Sequence, residues 1–139
     1  MACPWFLPRT PIRERRGAVA QRAPLGELWT GMCRAPGQEP AAIGETLCNP
    51  CNTGYAGRAC SRFPQDGPAD AVRFHVTSDK ADELLLQYVF ERQWWPAGHG
   101  VLQYSVTRGE VSPAAADEIL RAQAEAFAKS WIFKTRPES

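Results

Sequence analysis

Three runs in the second half of the chain alternate apolar and polar residues: "AVRFHVT" from Ala71, "ELLLQYVFERQ" from Glu83 and "VLQYSVT" from Val101. Alternation with a period of two places every second side chain on one face of an extended strand. Val72, Phe74 and Val76 share a face in the first run, as do Leu84, Leu86, Tyr88 and Phe90 in the second and Leu102, Tyr104 and Val106 in the third. Leu85 and Val89 add apolar groups to the opposite face of the second run, which makes it the interior strand. Short polar breaks between the runs predict an antiparallel meander. "WWPAGHG", with Pro96, Gly98 and Gly100, reads as an interruption between the second and third strands.

A helix is expected to follow. Ser112 is a good cap and Pro113 a good first residue. Ala116, Leu120, Ala124, Phe127 and Trp131 fall on one apolar stripe at helical spacing. Asp117–Arg121 and Glu125–Lys129 are spaced for ion pairs on the wet side. The stripe needs a partner, and the open face of the sheet offers one. The fold class read from the sequence is therefore α+β: a three-stranded antiparallel sheet with one C-terminal helix, spanning 71–139.

Residues 1–70 read differently. Pro4, Pro8, Pro11, Pro24, Pro36 and Pro40 each remove an amide donor and fix φ, which disfavours long regular elements. Turn formers continue through Asn49-Pro50, Gly54, Gly57 and Asp66-Gly67-Pro68. This stretch is expected to be an irregular Pro- and Cys-rich segment laid over the rest of one compact domain. It has little periodic apolar surface, so something other than a core must order it.

The thiols can supply that order. "CNPCNTGYAGRAC", residues 48 to 60, carries Cys48, Cys51 and Cys60, and Cys33 stands upstream. No apolar run is long enough to span a bilayer. The N-terminus also lacks the order of charge then apolar run that marks a secretory signal. The expected compartment is the reducing cytoplasm, where clustered cysteines bind metal more often than they form disulfides. A two-residue gap lets Cys48 and Cys51 point at one ion. Four thiolates suit tetrahedral zinc or the corners of a 4Fe-4S cluster. An isolated cysteine is commonly a small buried apolar group, but three in a polar, turn-rich stretch do not look like core. Redox use of Cys48-x-x-Cys51 would want a helix start after a strand, and Pro and Asn crowd a loop instead.

The layout of one remote Cys, then Cys-x-x-Cys, then one further Cys resembles the four-thiolate sites of iron–sulfur DNA glycosylases. That resemblance covers four residues, and its spacings differ. It implies a cluster held by Cys33, Cys48, Cys51 and Cys60, and the residues themselves leave zinc and iron–sulfur both open. Cys3, in a proline-rich terminus, is expected to be free. The function these features suggest is a small metal-binding accessory or interaction protein, with an iron–sulfur electron carrier as the alternative. An enzyme is the lesser expectation, since no phosphate-binding loop, nucleophile motif or acid/base pair stands out.

Three other features bear on partners. Trp94 and Trp95 are adjacent, so in a strand they face opposite sides, and one of them is available to another protein. Arg9, Arg13, Arg15, Arg16 and Arg22 form a basic arm that could meet nucleic-acid phosphates, so a nucleic-acid-binding factor is a further alternative function, although the net charge of the chain is only +1. His75 and His99 are read as surface residues that could also stand in for a missing thiolate.

Overall fold

The computed structural model describes residues 2–12, 25, 28–36, 39–44, 51–52, 60, 62–64, 69–112 and 117–136. Two antiparallel sheets and one C-terminal helix make up the fold. The first sheet has the order β1-β2-β3, formed by β1 (Phe6–Pro11), β2 (Trp29–Cys33) and β3 (Ala41–Ile43). The second has the order β4-β5-β6-β7, formed by β4 (Ala71–Asp79), β5 (Glu83–Arg92), β6 (Trp95–Ser105) and β7 (Glu110–Ser112). The helix α1 spans Glu118–Thr135.

This corrects the expectation of a single three-stranded sheet preceded by an irregular segment. Described residues among the first seventy build a sheet of their own, β1-β2-β3, and the second sheet has a fourth strand. Proline did not prevent the first sheet because Pro8 and Pro11 lie in β1, an edge strand. An edge strand has one side without a ladder, and a missing amide is tolerated there. A register shift between Pro8 and Thr10 absorbs the remaining irregularity. Opposite Pro8 stands Gly31, where a Cβ would come within 2.0 Å of the Leu7 carbonyl oxygen. The two strands approach so closely that only glycine fits.

In the second sheet β4, β5 and β6 carry most of the three alternating runs, with Val106 falling beyond the end of β6, and β5 is interior. The expected interruption at "WWPAGHG" is absent. β6 begins at Trp95 and passes through Pro96, Gly98 and Gly100 with one register shift between Phe90 and Glu91. β7 pairs only with Gln103, Tyr104 and Ser105, so β6 is an edge at Pro96 and loses no bond there. Gly100 is covered by the Tyr88 ring, whose hydroxyl lies 2.4 Å from where a Cβ would stand.

Ser112 is the last residue of β7 and not a helix cap. Pro113 and Ala116 lie outside the described residues. The cap is Asp117, whose Oδ1 accepts from the Ile119 amide at 2.8 Å and the Leu120 amide at 3.1 Å. The expected pairs Asp117–Arg121 and Glu125–Lys129 are not among the ion pairs of the described residues. Glu118 meets Arg34 at 2.8 Å, and Glu125 accepts the Val111 amide at 3.1 Å.

The helix packs chiefly against β1, with smaller contacts to β5, β6 and β7. Leu120, Ala124 and Phe127 of the expected stripe are buried, and so are Gln123, Ala126, Ala128 and Ser130. Small residues let the helix approach its neighbours on more than one flank. Phe127 stacks on Phe74 of β4 at 5.7 Å between ring centroids. On another flank Trp29 of β2 donates its indole N–H to Ser130 at 3.2 Å. The two halves are joined again at the N-terminus, where Ala2 and Val72 exchange backbone hydrogen bonds of 2.6 and 2.8 Å. One apolar cluster runs through both, from Phe6, Leu25 and Trp29 to Leu84, Leu86 and Phe127.

Candidate metal centre

Cys3, Cys33, Cys51 and Cys60 line one small cavity. They come from four separate places in the chain, and the backbone brings each there for a local reason. Cys33 ends β2 and is paired in register with Phe6 of β1. Cys3 lies just before β1, in a turn closed by the Phe6 amide donating to the Cys3 carbonyl at 3.1 Å. Cys51 is fixed to that turn by its own carbonyl, which accepts the Cys3 amide at 2.9 Å. Cys60 opens a further turn, closed by the Phe63 amide at 3.2 Å.

Asn52 anchors the Cys51 segment. It is fully buried; its Oδ1 accepts the Trp29 amide and its Nδ2 donates to the Trp29 carbonyl, both at 2.9 Å. A side-chain amide thus does for β2 at Trp29 what a neighbouring strand does elsewhere. β3 pairs only with Gly31, Met32 and Cys33, so among the described residues no strand reaches Trp29 on that side.

The cavity between the sulfurs is about 10 Å³, the room of about one water molecule. Trp5, Phe6, Ala35 and Phe63 complete an apolar wall. Cys3, Cys33 and Cys51 are buried and Cys60 is half-buried. Burial pushes the Cys3 thiol up to about 12; the Trp5 backbone amide, bonded to it, pulls the other way, and Cys51, Cys33 and Cys60 add to the rise. Arg62 brings positive charge to the rim, with Nε donating to Cys33 Sγ at 3.4 Å. Its terminal nitrogen reaches the Glu39 carbonyl. Among the described residues no three His, Cys, Asp or Glu stand in a group tight enough to hold an ion as they are placed. The thiols surround a space and do not close on a point.

Of the four residues expected from the sequence, Cys33, Cys51 and Cys60 are brought together. Cys48 lies outside the described residues. Cys3, expected to be free, takes a place in the wall. The signal that could have found it is its position ahead of an apolar pair, Trp5 and Phe6, which carries it inward. His75 in β4 and His99 in β6 are exposed and do not border this cavity. Arg9 is exposed on β1, and Arg13, Arg15, Arg16 and Arg22 lie outside the described residues.

Trp94 and Trp95 are both exposed, at 69% and 75%. They stand at the tip of the β5–β6 hairpin, where Gln93 and Trp94 have φ of 51° and 69°. A two-residue turn with both φ positive matches the twist of the strands, and Asn-Gly is its usual sequence. A bulky pair in that conformation carries strain. Asp70 offsets it by accepting the Gln93 amide at 2.7 Å.

Comparison with protein families, with curated proteins and with solved structures yields no match to this chain. Among the described residues no helix is long and apolar enough to cross a membrane.

Proposed function

We propose that the chain is a small metal-binding accessory protein whose front half is ordered by one zinc ion held by Cys3, Cys33, Cys51 and Cys60. The observation that carries this reading is the convergence of four thiols, remote in sequence, on a cavity the size of one small body. Cysteine is among the softest donors a protein has, and four thiolates suit zinc well. Binding would draw the sulfurs to about 2.3 Å from the ion and release their protons. The Trp5 backbone amide and Arg62 stand where they would offset the charge on the sulfurs. The small space favours a single ion over a cubane cluster. The ion's role is structural, since four protein ligands leave no open position for substrate. The exposed Trp94–Trp95 tip supports a role in contact with a partner protein, because a strained turn that presents two large rings to solvent does nothing for the core.

Metal analysis of the full chain, purified without oxygen, tests the reading. One zinc per chain in colourless protein is expected. Brown protein with iron and sulfide would replace zinc by an iron–sulfur cluster. Absence of both, with the cysteines titratable in the folded protein, would overturn the site. Single Cys→Ser variants assign the ligands. C3S, C33S, C51S and C60S should each lose the metal and C48S should keep it. Loss in C48S with retention in C3S would move the fourth ligand to Cys48.

A further inference from the structure

Trp5 also borders a second cavity, of about 260 Å³. Phe90 brings another aromatic ring to its wall, and Pro4, Ala97 and Leu120 continue the apolar surface. Among the described residues that line it, Asp117 alone carries charge. Asp117 is exposed and is fixed in place by capping α1 through Oδ1, so its carboxylate stands at the mouth. Gln123 is the remaining polar group of the wall. Its Nε2 donates to the carbonyls of Cys3 and Phe6, both at 2.7 Å, so both of its N–H groups are engaged. Arg34 comes to the same end of the molecule, its amide donating to the Trp5 carbonyl at 2.9 Å. Its guanidinium is held by Glu118 at 2.8 Å.

Two aromatic rings, a carboxylate and no basic lining group make a wall that suits a cation. The electron-rich face of an aromatic ring attracts positive charge, and more strongly where water is excluded. A bare ammonium would give up its hydration in an apolar space at high cost. An alkylated ammonium spreads its charge under methyl groups, which the apolar wall accepts. The cavity is slightly smaller than ordinary drug-sized sites of about 300–1,000 Å³, so the guest is small.

We propose that this cavity is a binding site for a small alkylated ammonium compound. Its methyl groups lie among Trp5, Phe90 and Leu120, and the Asp117 carboxylate meets its charge at the mouth. The site stands independently of the metal reading, since neither Asp117 nor Phe90 borders the thiol cavity.

The probe is choline, titrated into ¹⁵N-labelled full-length protein and followed by amide shifts. 3,3-Dimethylbutan-1-ol has the same shape, with carbon in place of the charged nitrogen, and 3,3-dimethylbutanoate is an anion of similar size. Saturable shifts at Ala97, Leu120 and Gln123 are expected with choline. The alcohol should bind at least about fivefold more weakly, and the anion should leave these amides unmoved. D117N removes the charge and keeps a good helix cap. It should weaken choline about fivefold and leave the alcohol within about twofold. F90L removes one ring and keeps an apolar side chain, and should weaken choline more than it weakens the alcohol. Absence of saturable shifts with choline, equal binding of the alcohol, or unchanged choline affinity in D117N or F90L would overturn the proposal.

Discussion

Asn52→Ala should be among the most damaging single changes in the chain that touch no large apolar side chain. Asn52 is fully buried and its amide closes a pair of 2.9 Å hydrogen bonds with the backbone of Trp29. Truncation leaves the Trp29 N–H and C=O without those partners, and Trp29 itself is only 4% exposed. Each orphaned buried group costs about 1–3 kcal/mol, so the pair should cost about 2–6 kcal/mol. Urea denaturation followed by tryptophan fluorescence reads this directly. With a slope of about 2 kcal/mol/M for a small protein, the midpoint should fall by about 1–3 M at unchanged slope. Asn52→Asp separates the two bonds, because it keeps the acceptor and removes the donor that meets the Trp29 carbonyl. It should be no milder than alanine, since it buries a carboxylate against a carbonyl oxygen. A loss below about 1 kcal/mol for Asn52→Ala would refute the view that this side chain stands in for a strand.

The C-terminal end of α1 carries a pH-dependent tie. Asp79 accepts the Trp131 indole N–H at 3.0 Å and the Arg136 guanidinium at 2.7 Å, and these hold its carboxyl below the ordinary value. A carboxyl whose folded pKa is lowered adds stability that is present above its unfolded pKa and is lost as pH falls through the folded one. Acid unfolding of Asp79→Asn should therefore be shallower than that of the parent below about pH 4, and an NMR titration in which Asp79 behaves ordinarily would remove the effect. At the hairpin tip, Trp95→Ser should change stability by less than about 0.5 kcal/mol, as for an exposed surface site. A loss of several kcal/mol in the same denaturation assay would make the ring part of the core and end the proposal of a contact surface at this tip.

How legible the fold was depended on whether a strand's pattern could be read along itself. β4 and β5 display alternation over nine and ten residues, and one buried face suffices to announce them. β1, β2 and β3 are six, five and three residues long, too short to establish a period. β1 also contains two prolines, which a sequence reading must count against a strand. Their tolerance depends on β1 being an edge, a property of the assembled sheet. The start of β6 is hidden in the sequence for a similar reason. Pro96 sits where β7 no longer pairs, and Gly100 is filled by the Tyr88 ring from the next strand. Local residues looked like breakers because their compensation lies across the sheet.

The thiols show the same limit from the other direction. A short gap such as Cys48-x-x-Cys51 is visible along the chain, so spacing draws attention to it first. Cys3 joins Cys33 only because β1 runs antiparallel to β2 and sets Phe6 beside Cys33. It meets Cys51 only through a backbone bond between residues 48 positions apart in the numbering. Gln123 then holds the carbonyls of Cys3 and Phe6 from the helix, so the last element of the chain fixes the position of nearly the first. A site assembled in that way depends on β1, β2 and α1 all being in place. Disturbing Gln123 should therefore affect the thiols although it touches no sulfur, and metal retention in such variants would track the integrity of the β1–α1 contact more closely than the spacing of any cysteine pair.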